Sequence, residues 1–300
     1  MPRRPLACAP DIVALNWTRK GPHWPHGHCS RFLSVRGVNW HVQVAGKGPA
    51  VLLLHGTGAS THSWRDLIAP LATRFTVIAP DLPGHGFSSP PATRQGYALP
   101  DVARSMAALL LELGITPIGL MGHSAGAAIG VRMAVELNMA FRQIFAVNGA
   151  LLPLPGMPVP AFSLAARLLS STSLIPSLVA RRASDLSAVG RLIGNTGSRI
   201  GPEGMAFYKT LMADPDHVKA VLSMMGQWDL RLLEQDLPKL EVPLLLAVGG
   251  NDRTVPPAEA ERVRALAPNA KIKLFPGLGH LAHEERPDLF IELLETLDTP

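Results

Sequence analysis

Cysteine is nearly absent from this 300-residue chain: Cys8 and Cys29 are the only two, and both lie in the first thirty residues. Two thiols in one N-terminal stretch make no disulfide framework, so an apolar core must hold the fold. No run of about 18 uncharged apolar residues occurs, and no transmembrane helix is expected. The opening segment Met1 to Pro10 is too short and too rich in proline to supply the apolar centre of a secretion signal, which points to a cytoplasmic setting. Internal repeats and low-complexity blocks are lacking as well. Excess charge is lacking over most of the chain. Residues 1–36 hold six of the 28 basic residues and one of the 23 acidic ones, so the remainder balances at 22 of each. The net charge of +5 therefore belongs to a tail, and no nucleic-acid groove is expected. Such a tail has the composition of a solvated extension. It also suits peripheral contact with anionic lipid or an acidic partner.

What is present is apolar sequence, 47% of the chain, enough for one large α/β domain or a core with one insertion. Residues 1–30 contain five prolines and no period, and are expected to form an irregular basic arm. Strands are predicted at 31–35, 38–45, 50–54, 75–79, 117–121, 143–147, 244–248 and 271–275. Helices are predicted between them at 63–71, 101–113, 125–137, after Pro257, and from 287 to 297. Strand–helix alternation predicts a mostly parallel central sheet flanked by helices, an α/β class fold. The alternation breaks after residue 150. Residues 151–180 carry one charge, Arg167, and residues 181–231 are helical and more polar. The expected organisation is an α/β core of residues 31–150 and 232–300 carrying a helical cap, or lid, at 151–231.

Three residues follow predicted strands in the order Ser124, Asp252, His280. In an open parallel sheet those strand ends converge on one edge, where ligands bind. Ser124 stands in Gly122-His123-Ser124-Ala125-Gly126 between a strand and a helix. The flanking glycines relieve the crowding of so sharp a turn, and the serine hydroxyl is lifted clear at a helix N-terminus. A serine hydroxyl needs a base, and His280, in Gly277-Leu278-Gly279-His280, is the candidate. Asp252, in Gly249-Gly250-Asn251-Asp252, would accept the imidazole N–H and fix its tautomer. Asn148, at the end of the preceding strand, offers no competing carboxylate. The oxyanion donors are expected from Ala125 N–H and Thr57 N–H, with Gly58 the near alternative. Gly56, Gly58, His123, Arg167 and Trp228 are candidates for substrate contact. For His55, His85 and His123 the other expectation is hydrogen bonding to loop backbone. His283 is expected to lie outside the catalytic set. His23, His26, His28 and Cys29 have ligand types suited to zinc or copper rather than magnesium, but they sit in a proline-rich arm, so no metal and no cofactor are assigned.

The sequences Leu54-His55-Gly56-Thr57-Gly58, Pro80-Asp81-Leu82-Pro83-Gly84-His85-Gly86, the Ser124 turn and Gly277–His280 resemble those of the α/β-hydrolase superfamily over residues 31–300. Carbon–carbon-bond, lactone and ester hydrolases are similar. Dehalogenases and epoxide hydrolases of this fold carry aspartate at the elbow, where this chain has Ser124. A narrower resemblance lies in Leu15-Asn16-Trp17, His23-Trp24-Pro25, Ser30-Arg31-Phe32, Asn39-Trp40-His41-Val42-Gln43, Ser63-Trp64-Arg65-Asp66 and Gln227-Trp228-Asp229-Leu230. These resemble the magnesium-chelatase accessory proteins of bacteriochlorophyll biosynthesis. The resemblance implies a role around magnesium insertion into protoporphyrin IX, with magnesium-chelatase subunits as partners and a location peripheral to the photosynthetic membrane. Two functions follow as expectations. One is a serine hydrolase acting on a small apolar ester or related carbonyl. The other is a module that holds or delivers porphyrin, with Arg167, Arg181 and Arg182 meeting propionates. A generic ester or carbon–carbon-bond hydrolase unconnected with pigment is a third.

Overall fold

The strand Ala50–Leu54 (β3) is fully buried along its whole length, because helices cover both faces of the sheet in which it lies. The computed structural model describes residues 15–153, 166, 169, 174–182 and 186–298. Around β3 are Ser30–Val35 (β1), Val38–Ala45 (β2), Thr76–Pro80 (β4), Pro117–His123 (β5), Gln143–Val147 (β6), Leu244–Gly249 (β7) and Ala270–Phe275 (β8). Their order is β1-β2-β4-β3-β5-β6-β7-β8. The pairs β1–β2 and β2–β4 are antiparallel, and the pairs from β4–β3 through to β8 are parallel. The reversal between β1 and β2 falls at Arg36 and Gly37, both at positive φ, the backbone that a tight hairpin demands.

The helices are Trp17–Lys20 (α1), Arg65–Leu71 (α2), Leu99–Leu113 (α3), Ala125–Leu137 (α4), Leu174–Arg182 (α5), Leu186–Asn195 (α6), Pro202–Met212 (α7), Pro215–Gln227 (α8), Arg231–Asp236 (α9), Ala258–Leu266 (α10), Ala282–Glu285 (α11) and Pro287–Glu295 (α12). Helix α3 shows why these segments form. It has Pro100 and Asp101 in its first turn, buries Leu99, Val102, Ala103, Met106, Leu109 and Leu110 at helical spacing, and stops at Gly114 in the left-handed region. One face of the sheet packs against α3, α4, α9 and α10, with Met106, Leu109, Ile129, Leu233 and Val263 in that layer. The other packs against α2 and α12 through Leu67, Ile68, Leu71, Phe290, Leu293 and Leu294.

Helices α5 to α8 lie between β6 and β7, in the stretch expected to form a cap. Arg167 lies outside the described residues. Residues 15–29, expected as part of an irregular arm, are ordered against the core. Leu15 and Trp24 are buried and form a cluster with Phe87 and Leu211, with Trp17 and Phe207 packed against it. Trp24 Nε1–H donates to Thr61 Oγ1 at 3.1 Å and Gln43 Nε2–H to Pro25 O at 2.6 Å. Proline density thus marks a chain without regular period but not one without contacts. Among the described residues no helix is long and apolar enough to cross a membrane.

Candidate active site

Strand β5 runs to His123, two residues beyond the predicted end, so Ser124 follows it directly. Ser124 takes φ 50° and ψ −113° and caps α4. A non-glycine residue held there carries on the order of 1–3 kcal/mol of strain, offset by the surroundings that fix it. Ser124 N–H donates to Val147 O at 3.0 Å, and Ser124 O accepts from Ala127 and Ala150 N–H, both at 3.1 Å. The glycines are steric requirements. A Cβ at Gly122 would lie 2.5 Å from Ala127 N, and one at Gly126 would lie 2.1 Å from Leu54 O. Gly126→Ala is therefore expected to destabilise the fold by on the order of 3 kcal/mol. A fall in the urea unfolding midpoint at unchanged slope checks it. An unchanged midpoint would mean that the elbow is not packed as described.

Asp252 and His280 follow β7 and β8. His280 Nδ1–H donates to Asp252 Oδ2 at 2.8 Å, and both residues are buried. The other carboxylate oxygen accepts from Thr254 N–H at 2.7 Å and Val255 N–H at 2.9 Å. Asp252 is thereby fixed as an acceptor, and the neutral His280 ring must leave Nε2 free to take a proton. Among the described residues Ser124 Oγ has no hydrogen-bond partner. The Ser124–His280 joint stands open, as such contacts often do before substrate tightens them.

Sequence reasoning missed what holds the base loop in place. Asn148, at φ 45°, follows β6 directly. Its Nδ2 donates to Gly279 O at 2.9 Å and His280 O at 2.8 Å, and its Oδ1 accepts Gly249 N–H at 2.7 Å. One amide thus ties the end of β7 to the loop that carries His280. Noted at first only for lacking a carboxylate, it holds the backbone beside Asp252 and His280. The carbonyl of Thr196, beyond α6, accepts from both Arg253 N–H (3.1 Å) and His280 N–H (3.3 Å), so the segment after α6 is tied to the same loops. His283 is separate. Its Nε2–H donates to Ser63 Oγ at 2.8 Å, and Ser63 donates in turn to Glu284 Oε1 at 2.7 Å. Arg65 at 2.6 Å and Tyr208 at 2.7 Å complete that buried network.

The loop after β3 lies against the elbow: a Cβ on Gly56 would meet Ser124 Cβ at 3.1 Å. Among the described residues Thr57 N–H and Ala125 N–H are not taken by another group, which leaves both for an oxyanion. Histidines lace this loop to its neighbours. His55 Nδ1–H donates to Gly56 O at 2.8 Å, while its Nε2 accepts Leu82 N–H at 2.9 Å. His85 Nδ1–H donates to Pro83 O at 3.0 Å. His217, on α8 and not singled out in the sequence, donates Nε2–H to Gly58 O and accepts Gly86 N–H at Nδ1, each at 3.3 Å. His123 Nε2–H donates to His280 O at 3.0 Å, a loop-backbone contact. Trp228 is half-buried and packs against the core layer that holds α3 and α4. Of the arm cluster, His26 bonds Arg65 O at 2.7 Å, and its ring stands 6.5 Å from that of His28.

A serine elbow after β5 at the carboxyl edge of this sheet, with an aspartate after β7 hydrogen-bonded to a histidine after β8, is the plan of the alpha/beta hydrolases, and the chain belongs to that family, whose model matches residues 51–293. Within it the chain is similar to the Magnesium-chelatase 30 kDa subunit of Rhodobacter capsulatus, 36% identical over 268 residues that span 89% of this chain and 93% of that protein. Among solved structures, an alpha/beta hydrolase fold protein from Burkholderia ambifaria superposes with a TM-score of 0.75 at 22% identity, covering 89% of this chain and 97% of that one. A serine hydrolase involved in carbazole degradation does so with a TM-score of 0.72 at 22% identity and the same coverage. The structural likenesses speak to fold.

Proposed function

We propose that the protein is a serine hydrolase that acts on an ester or related carbonyl of an apolar substrate, as an accessory to magnesium chelatase in bacteriochlorophyll biosynthesis. The observation that carries the chemistry is the Asp252–His280 hydrogen bond at the strand edge beside the strained Ser124 elbow. Ser124 Oγ attacks the carbonyl carbon while His280 Nε2 takes its proton. The oxyanion is held by Ala125 and Thr57 N–H. The carbon–oxygen bond to the leaving group breaks, and His280 returns the proton to the departing alkoxide. Water, activated by the same base, then releases the acid. Asp252 stabilises the imidazolium formed in each half. The similarity to the Magnesium-chelatase 30 kDa subunit supports the pigment setting, in which the substrate or cargo is linked to a porphyrin and the partners are chelatase subunits.

Fluorophosphonate labelling tests the nucleophile. Ser124 is expected to label, and His280→Ala to slow that labelling at least about 100-fold, the lower range for loss of a positioned base. A folded protein whose Ser124 does not label would favour the second function, a module that holds porphyrin. The open Ser124–His280 joint is the observation on that side.

A further inference from the structure

A second serine, histidine and aspartate are joined in line on the opposite side of β3. His41, on β2, donates Nδ1–H to Asp81 Oδ2 at 2.7 Å, and its Nε2 lies 2.7 Å from Ser30 Oγ. The resemblance to the acid–base pair at the elbow is close. Asp81 Oδ1 accepts Thr61 N–H at 2.7 Å, and Oδ2 also accepts Phe87 N–H at 2.8 Å, so backbone amides hold this carboxylate as they hold Asp252. His41 and Asp81 are both fully buried, while Ser30 is partly exposed, the same distribution as base, acid and serine at the elbow. Unlike the elbow, this relay is closed at both joints.

Its direction is fixed by donors and acceptors. An ionised carboxylate only accepts, so His41 Nδ1 carries a proton. In the neutral ring Nε2 is then a lone pair, and the Ser30 hydroxyl donates to it. Register explains the contact. Phe32 pairs with His41 and Ser30 with Gln43 across the β1–β2 ladder, so Ser30 and His41 are diagonal neighbours on one face. The Trp17, Phe32 and Phe87 rings surround the imidazole at 5.1, 5.2 and 5.3 Å. Phe32 is 41% exposed, an apolar surface beside the hydroxyl.

We propose that Ser30, His41 and Asp81 form a second acyl-accepting site, independent of Ser124, for small activated aryl esters. Ser30 Oγ forms a bond to the acyl carbon as the ester carbon–oxygen bond breaks. The serine proton passes to His41 Nε2 and from there to the departing phenolate. Asp81 holds the imidazolium.

The test uses the full chain carrying Ser124→Ala, with p-nitrophenyl acetate as the probe and peptide mass mapping as the readout. Ser34 is the internal reference: it is exposed on the same strand, and its hydroxyl meets the Asn39 amide oxygen rather than a base. Ser30 is expected to be acetylated at least about 100-fold faster than Ser34, with the ratio falling to near one in urea. A further His41→Gln change should abolish the preference. If that variant does not fold, the urea comparison on the parent still decides. Equal acetylation of Ser30 and Ser34 in the folded protein overturns the proposal and leaves the three residues as a tie between β1, β2 and the Asp81 loop. Because Ser124 is absent throughout, failure here leaves the Ser124 proposal untouched, and failure of Ser124 to label leaves this one untouched.

Discussion

Acidification from pH 7 to pH 5 is expected to unfold this protein before its ordinary carboxylates titrate. Burial holds six histidines below the usual imidazole value near ~6.5: His55, His62, His85, His123, His217 and His283. For His217 burial is the leading cause, and the group is brought down to about 4. Each takes up its proton at a lower pH in the fold than in the unfolded chain, where protonation sets in near pH ~6.5. The unfolded state then binds more protons, so the stability these groups contribute is present above about 6.5 and is lost as pH falls below it. The six losses run in the same direction and accumulate as the pH falls below that value, against a domain stability of only about 5–15 kcal/mol.

Two buried acids run the other way. Burial raises Glu284, against the pull of Arg65, Ser63 and Tyr208, and it raises Asp214. Both therefore gain a proton in the fold earlier than in the unfolded chain. Two such groups do not offset six. Asp81 is drawn down to about 2 as His41 and the Phe87 N–H outweigh its burial, so its contribution is lost only below the carboxylate range. Urea unfolding measured across pH 5 to 7.5 checks the expectation. Stability should climb with pH across this range, because the unfolded chain binds more protons than the fold. A flat profile would mean that these rings accept protons without loss of structure.

The same histidines show what a sequence can and cannot disclose. The elbow was legible because its requirements are local: a strand, two glycines with no room for a Cβ, and a small-residue helix are consecutive in the chain. The central strands were legible because β3 to β7 are apolar almost throughout. The β4 prediction was one residue early, and the β5 prediction stopped two residues short at Gly122-His123, where a buried strand ends in the residues that also begin the turn. Asn148, His217 and the Ser30–His41–Asp81 line were not legible. Their roles depend on which distant backbone groups arrive beside them, and an asparagine or histidine carries no mark of that before the chain is folded. The arm misled for a related reason. Trp17 and Trp24 lack any periodic pattern, yet they pack edge-on against Phe87 with centroids 4.8 and 4.9 Å away, which only the tertiary fold brings about. The candidate porphyrin contact at Arg167 falls outside the described residues, so the structure adds nothing to it.

Asp252→Asn is expected to lower esterase turnover and the rate of fluorophosphonate labelling at Ser124 by about 10⁴-fold while leaving the fold nearly as stable as before. The two halves of this carboxylate do different work. Oδ1 takes the Thr254 and Val255 N–H groups, and an asparagine oxygen can take both in the same place. The amide nitrogen must then face His280 Nδ1, which lies 2.8 Å from Oδ2. Two N–H donors cannot share that contact, so the neutral ring gives up its Nδ1 proton and carries one on Nε2 instead. The nitrogen that should receive the Ser124 proton is then occupied, and the imidazolium loses its counter-charge. A structural role for Asp252 would lower the melting temperature in step with activity. The tautomer account requires the two to separate, with labelling lost in a protein that melts near the wild-type temperature. Loss of both together, or retention of both, would remove Asp252 from the relay.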